Sequence, residues 1–264
     1  MPELPEVKAL SQEILRKCKG AILETIEIVK GRYRTHGPPE GFQTFTKRLP
    51  LTLTDVIHKG KVMVLCFESD GCMISRLGLT GWWYINDDKP SWIHSEPNVV
   101  FEFKGLRLNY VDQLSYGTLT FLDREAMANE LAKIAPDYTT LTLKELRTRL
   151  AKRPRFLSKP IEEVIVDQHG LVSGIGNYLK AEILYDSKIS PLRLLETLTD
   201  DDWKAMLRSA KKLTKQIEKH IGDETKYMNT MKIYMKDKDP YGNTVVTHKT
   251  KSGRTTHWVK EVQR

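Results

Sequence analysis

The chain opens Met1-Pro2-Glu3-Leu4-Pro5-Glu6-Val7, and the residues that follow turn this opening into the start of a packed helix. Val7, Leu10, Ile14, Leu15 and Cys18 recur at steps of three and four, which places them on one face of a helix over residues 5–18, begun by Pro5. The first residues are therefore anchored, because the helix beside them has an apolar face to bury.

Outward from this helix the character is β. Short runs rich in β-formers at 23–29, 62–67, 99–103 and 106–111 are separated by turn-rich pieces at 31–41 and 86–98, a pattern that predicts an antiparallel sandwich or barrel. After about Asp123 the pattern becomes helical. Thr142-Leu143-Lys144-Glu145 has the form of a capping box and opens a helix to about Lys152, where Pro154 interrupts. A long amphipathic helix follows Thr199, with Trp203, Met206, Leu207, Ala210, Leu213 and Ile217 on one side and Lys204, Arg208, Lys211, Lys215 and Lys219 on the other. That basic side is either a row of phosphate contacts or a solvated helix face. From Ile233 onward, β-formers around Asp239-Pro240-Tyr241-Gly242 and Lys251-Ser252-Gly253-Arg254 predict hairpins with polar turns.

The 264 residues suit two compact units, each with its own core. No apolar stretch approaches the roughly 18 residues of a membrane helix, and no basic-then-apolar leader is visible, so the chain is expected to fold inside the cell. Cys18, Cys66 and Cys72 have no metal-ligand spacing and are expected to be reduced structural thiols. Net charge is +8, a balance that suits a polyanion. From Tyr227 to the end there are eight Lys/Arg against three Asp/Glu, so this tail is either a nucleic-acid arm or a solvated basic terminus.

Three pieces combine: the opening heptapeptide, Gly174-Ile175-Gly176-Asn177-Tyr178-Leu179-Lys180-Ala181-Glu182-Ile183-Leu184-Tyr185, and the basic β tail. In order and spacing they resemble the Fpg/Nei (formamidopyrimidine-DNA glycosylase / endonuclease VIII) family along nearly the whole chain. The resemblance implies an α+β protein: an N-terminal antiparallel β-sandwich carrying the first helix (1–130), a helical domain with a helix-two-turns-helix motif (131–225), and a β-hairpin finger (226–264). It implies a bifunctional DNA glycosylase and abasic-site lyase.

The chemistry follows from Pro2. Loss of the initiator methionine exposes a secondary amine able to attack C1′ of a damaged nucleoside and form an iminium; departure of the base and elimination of the acidified sugar proton then break the strand. An α-amine titrates near 8 rather than the lysine value of about 10, which leaves a usable neutral fraction near neutral pH. By the resemblance, Glu3 protonates the sugar ring oxygen, Glu6 supports it, and Lys61 reaches the lesion phosphate from the start of a core strand; both acids also suit a helix N-terminus. Gly170, Gly174 and Gly176 allow tight turns before a helix beginning near Asn177, whose backbone N–H groups and side chain resemble the family's helix-two-turns-helix phosphate clamp, the alternative being an ordinary loop between packed helices.

Two regions depart from the commoner family pattern. Tyr241, Val259 and Val262 fall where zinc-binding cysteines are expected, so neither a metal nor any other cofactor is implied, and Arg254 matches the arginine of the zincless finger, a bidentate phosphate ligand. Where many relatives have Asp-Pro-Arg-Arg-Phe-Gly, this chain has Asp112-Gln113-Leu114-Ser115-Tyr116-Gly117 and lacks the arginine opposite the extruded base. Leu79 stands at the usual methionine wedge, and Leu114, Tyr116, Trp82 and Trp83 are further candidates to fill the gap in the stack, either tryptophan serving equally well as a buried aromatic. The expected partner is damaged DNA, double- or single-stranded, bound by a monomer at whatever intracellular site holds it. Oxidised pyrimidines and ring-opened or hydantoin purines are the expected lesions, in preference to 8-oxoguanine. A damage sensor without turnover and an RNA-binding protein are the rival readings, and a free secondary amine beside an acid has no purpose in either.

Overall fold

The computed structural model describes residues 2–221 and 229–264. The chain divides into two compact units that meet in sequence between Ala132 and Lys133. The sequence-based boundary at 225/226 lies outside the described residues, as does Met1.

The first unit begins with helix α1 (Leu4–Cys18), capped by a reciprocal box between Glu3 and Glu6 and ended before Gly20. Its buried face, Leu4, Val7, Leu10, Ser11, Ile14 and Cys18, packs on strands β2 and β3. Eight strands follow the helix: β1 (Ile22–Ile28), β2 (Leu51–Lys59), β3 (Val62–Phe67), β4 (Gly71–Arg76), β5 (Gly81–Ile85), β6 (Val99–Phe103), β7 (Leu106–Asp112) and β8 (Thr118–Asp123). They pair antiparallel in the order β5-β7-β6-β1-β2-β3-β4-β8. At the centre, β1 meets β2 through Ile22↔Thr52 and Leu23↔Leu51, and both strands carry a register shift beside this seam, at Leu23/Thr25 and Leu53/Asp55. Bulges bend strands, and here the halves fold face to face. Phe101 on β6 stacks on Phe121 of β8 with centroids 6.3 Å apart, and the Trp83 indole on β5 donates to Ser75 Oγ on β4 at 3.0 Å. The result is the expected sandwich, with Trp83 in its core rather than at a DNA-facing surface.

Four strands read from sequence are present within a residue or two, and β2, β4, β5 and β8 are additional. The bulge at Leu53/Asp55 interrupts the alternation of β2, and Gly71 and Gly81 open β4 and β5 with turn-like residues. The turn-rich stretch after β1 contains the single-turn helix α2 (Arg32–Thr35), with α3 (Phe42–Thr46) after it, and α4 (Arg124–Ala132) closes the unit against β4 and β8. All three cysteines are free and buried in this unit; Cys66 and Cys72 are register partners on β3 and β4, and burial pushes the Cys18 thiol up to about 11.

The second unit is helical. Thr142 and Glu145 cap α5 (Leu143–Ala151), with Thr142 N–H donating to Glu145 Oε2 at 2.8 Å. After α6 (Ile161–Val164) come α7 (Asn177–Asp186) and α8 (Asp200–Glu218), the latter capped by Thr199 and Asp202 and packed on α7 through the predicted apolar face. A hairpin of β9 (Val246–Lys249) and β10 (Thr255–Trp258) lies against α7. No helix among the described residues is long and apolar enough to cross a membrane.

Candidate nucleic-acid interface

In the first unit, Pro2 is buried and immediately precedes Glu3, the N-cap of α1. Glu3 and Glu6 are buried too, and the backbone N–H of Glu3 donates to Glu6 Oε2 at 2.7 Å. One carboxylate thus satisfies a helix-end donor and fixes the peptide that carries Pro2. Lys61 is half-buried in the two-residue turn joining β2 to β3, where Lys59 pairs with Val62. Gly60 takes φ +57 there, a conformation that a side chain resists. Because α1 packs on both strands of this hairpin, Pro2 and Lys61 are carried by adjoining elements of one scaffold.

The candidate gap-filling residues come from two loops that the structure ties together. Buried Asp112 accepts from Gly117 N–H at 2.6 Å and from Thr80 Oγ1 at 2.5 Å, and Thr80 Oγ1 accepts in turn from Leu114 N–H at 2.9 Å. Gly78, at φ +63, lets the loops touch, since a Cβ there would stand 2.7 Å from Gly117 N. Leu79, Leu114 and Tyr116 project from this knot with exposures of 40, 52 and 63%, large apolar side chains held out in water by fixed backbone. Trp82 is half-buried and packs edge-on against Trp92 at 5.7 Å. Asp112 and Thr80 organise the site and were not singled out from sequence; an acid followed five residues later by glycine is the signal that was available.

In the second unit the turns before α7 are built by two side chains. Gln168 accepts from Gly174 N–H at 2.8 Å and donates to Ile175 O at 2.9 Å, while Arg149 donates to Gly170 O and Leu171 O at 2.8 and 2.9 Å. Gly174 has φ +94, and Gly176 is the extended N-cap of α7. Asn177 is the first helical residue, and its Oδ1 is buried without a hydrogen-bond partner. His257 Nδ1 on β10 is likewise buried and unpartnered; burial, and then the charge of Lys180, hold this histidine below its ordinary value.

The tail is fastened by α7. The Glu182 carboxylate accepts from the N–H groups of Lys232, Ile233 and Tyr234 at 2.9, 2.9 and 2.7 Å; burial raises its pKa, and these three bonds oppose the rise. Asp239 accepts from Tyr185 OH at 2.9 Å and from Asn243 N–H at 2.8 Å. Arg254 is exposed beside a closed turn in which Thr250 N–H donates to Arg254 O at 2.8 Å and Arg254 N–H to Thr250 Oγ1 at 3.2 Å. The residues in place of cysteine do not fit a zinc site. Val259 is buried against Ala181, Tyr185 and Ile233, Tyr241 is 84% exposed, and no group of three His, Cys, Asp or Glu among the described residues is placed to hold a metal. On the long helix, Lys204 is paired with Asp201 at 3.0 Å.

Comparison with known proteins agrees with this arrangement. Residues 1–119 match the formamidopyrimidine-DNA glycosylase N-terminal domain, 133–226 its H2TH domain and 219–264 its C-terminal domain. A formamidopyrimidine-DNA glycosylase of Arabidopsis thaliana is 27% identical over 100% of this chain and 71% of its own, and one from Mycoplasmopsis pulmonis is 26% identical over 96% and 88%. Among solved structures, Lactococcus lactis Fpg bound to DNA containing Fapy-dG superposes with a TM-score of 0.84 at 24% identity, covering 99% of this chain and 100% of that one. With all three domains of the family matched in order, the chain belongs to the formamidopyrimidine-DNA glycosylases, DNA N-glycosylases with abasic-site lyase activity.

Proposed function

We propose that this protein excises oxidised bases from damaged DNA through a covalent Pro2 intermediate and then cleaves the strand by β/δ-elimination. The observation that carries the reading is the buried Pro2-Glu3-Glu6 group, in which a carboxylate holds the peptide next to the nucleophile at 2.7 Å. Once Met1 is removed, the Pro2 nitrogen adds to C1′. Glu3 delivers a proton to the ring oxygen as the sugar opens, and the base leaves. Lys61 meets the lesion phosphate. The start of α7, through Gly176 and Asn177, and the Arg254 guanidinium hold neighbouring phosphates, which fixes the sugar relative to the amine. Leu79, Leu114 and Tyr116 fill the space vacated by the extruded nucleotide.

The finger works without metal, and the protein acts as a monomer on DNA inside the cell. Oxidised pyrimidines and ring-opened or hydantoin purines are preferred over 8-oxoguanine, because the loop from Asp112 to Gly117 presents Leu114 and Ser115 in place of paired arginines. The test is borohydride trapping on a panel of lesion-bearing oligonucleotides. Wild-type protein is expected to form adducts on those lesions, and Pro2→Gly or an N-terminally acetylated form to bind DNA without trapping. Undiminished trapping with the N-terminus blocked would assign the nucleophile to a lysine.

A further inference from the structure

A two-stranded hairpin with four residues a side is marginal by itself, and the tail that forms it contains no cysteine. Side chains must hold it, and four of them meet beneath it. Lys180, fully buried on α7, donates from Nζ to Thr256 Oγ1 at 2.7 Å, and the Thr256 hydroxyl donates onward to Glu162 Oε2 at 2.5 Å. Glu162, buried on α6, is also met by His248 Nε2 at 2.9 and 3.0 Å. Thr256 and His248 are register partners, so one carboxylate grips both strands at a single rung.

A hydroxyl has one proton to give and lone pairs to accept with, and here it does both, between a cation and an anion. The arrangement is selective. An apolar contact tolerates a slipped strand, but a slip of one residue turns Thr256 to the opposite face and breaks the relay. Arg254 lies two residues before Thr256, so the register that satisfies the relay also sets where the guanidinium emerges.

We propose that Lys180, Thr256, Glu162 and His248 are positioning residues, a metal-free fastener that fixes the Arg254 hairpin on the helix begun by Asn177. The functional half of this inference rests on Arg254 being a phosphate contact. The experiment compares Thr256→Val, Thr256→Ser, Arg254→Ala and the Thr256→Val/Arg254→Ala double variant. It reads hydrogen exchange of the hairpin amides, and the salt dependence of binding to a duplex holding an abasic-site analogue.

Thr256→Val is expected to lose hairpin protection while β3 keeps its own. Its salt slope should flatten by roughly 0.9, so that the affinity lost between 50 and 200 mM salt shrinks about 3.5-fold. Thr256→Ser should restore both readouts, and the double variant should be no flatter than Arg254→Ala. Wild-type hairpin protection in Thr256→Val overturns the fastener whatever Arg254 does. Lost protection with an unchanged slope, beside a flattened slope in Arg254→Ala, overturns the positioning role. An unchanged slope in Arg254→Ala itself would fail the phosphate reading, with hairpin protection still deciding the fastener. Should Thr256→Val not fold, Glu162→Gln, which keeps the shape and removes the charge, gives the same two readouts.

Discussion

Glu6 accepts the backbone N–H of Glu3 at 2.7 Å, so the peptide joining the proposed nucleophile to the proposed acid is clamped by the first turn of α1. The same bond is a helix cap and, on the proposed mechanism, a catalytic brace. Glu6→Ala should therefore cost about 0.5–2 kcal/mol of stability as a lost cap. Its effect on turnover should be larger, up to about a hundredfold, because a displaced amine misses C1′. Single-turnover excision set against urea unfolding separates the two effects, and parallel small losses would reduce Glu6 to a cap.

Glu3→Gln should abolish excision of damaged bases and spare much of the cleavage at pre-formed abasic sites, where no base has to leave. Assays on matched lesion and abasic duplexes check this. Equal loss of both activities would give Glu3 a positional role only.

Asp112→Ala removes the carboxylate that ties Gly117 and Thr80, leaving buried donors unmatched. About 1–3 kcal/mol of stability should be lost. The sharper consequence is disorder in the Leu79, Leu114 and Tyr116 loops, seen as faster proteolysis there and weaker binding to lesion duplex than to abasic duplex. Unchanged cleavage kinetics in those loops would show that Asp112 does not organise them.

His257 is held below its ordinary value by burial and then by Lys180. A histidine with a depressed folded value stabilises the fold above its unfolded value of about 6.5 and loses that contribution as pH falls through the folded value. Wild-type stability should therefore decline on acidification below about pH 6.5 more steeply than that of His257→Asn. Urea midpoints between pH 5 and 7.5 measure the difference, and parallel curves would contradict it.

Prolonged dialysis against a chelator should leave excision and melting unchanged, since the positions that would supply ligands are the buried Val259, the exposed Tyr241 and the half-buried Val262. Stoichiometric zinc by elemental analysis would overturn this.

Much of this architecture was legible in sequence wherever one feature repeated or one residue type was unusual. The faces of α1 and α8, the cap at Thr142 and the turn at Gly253 all follow from local pattern. Nonlocal features were not legible. Neither the bulges that bend the sheet beside the β1–β2 seam nor the bond from Thr80 to Asp112 is a spacing rule. The burial of Lys180 was not legible either, because Thr256, the hydroxyl it donates to, lies 76 residues further along the chain. Helix α7 was placed by its glycines and by the family resemblance of its motif, since with apolar and polar residues alike facing inward it has no stripe to read.

That last property has a wider consequence. Every residue of α7 from Tyr178 to Tyr185 is buried, and ten residues are too few for a helix to persist alone in water. The tail is accordingly the outer wall of this domain's interior. A chain cut before Lys232 would uncover Ala181 and Tyr185 and deprive Glu182 of the three N–H groups it accepts from. Its failure would be insolubility, well before any question of affinity for DNA arose.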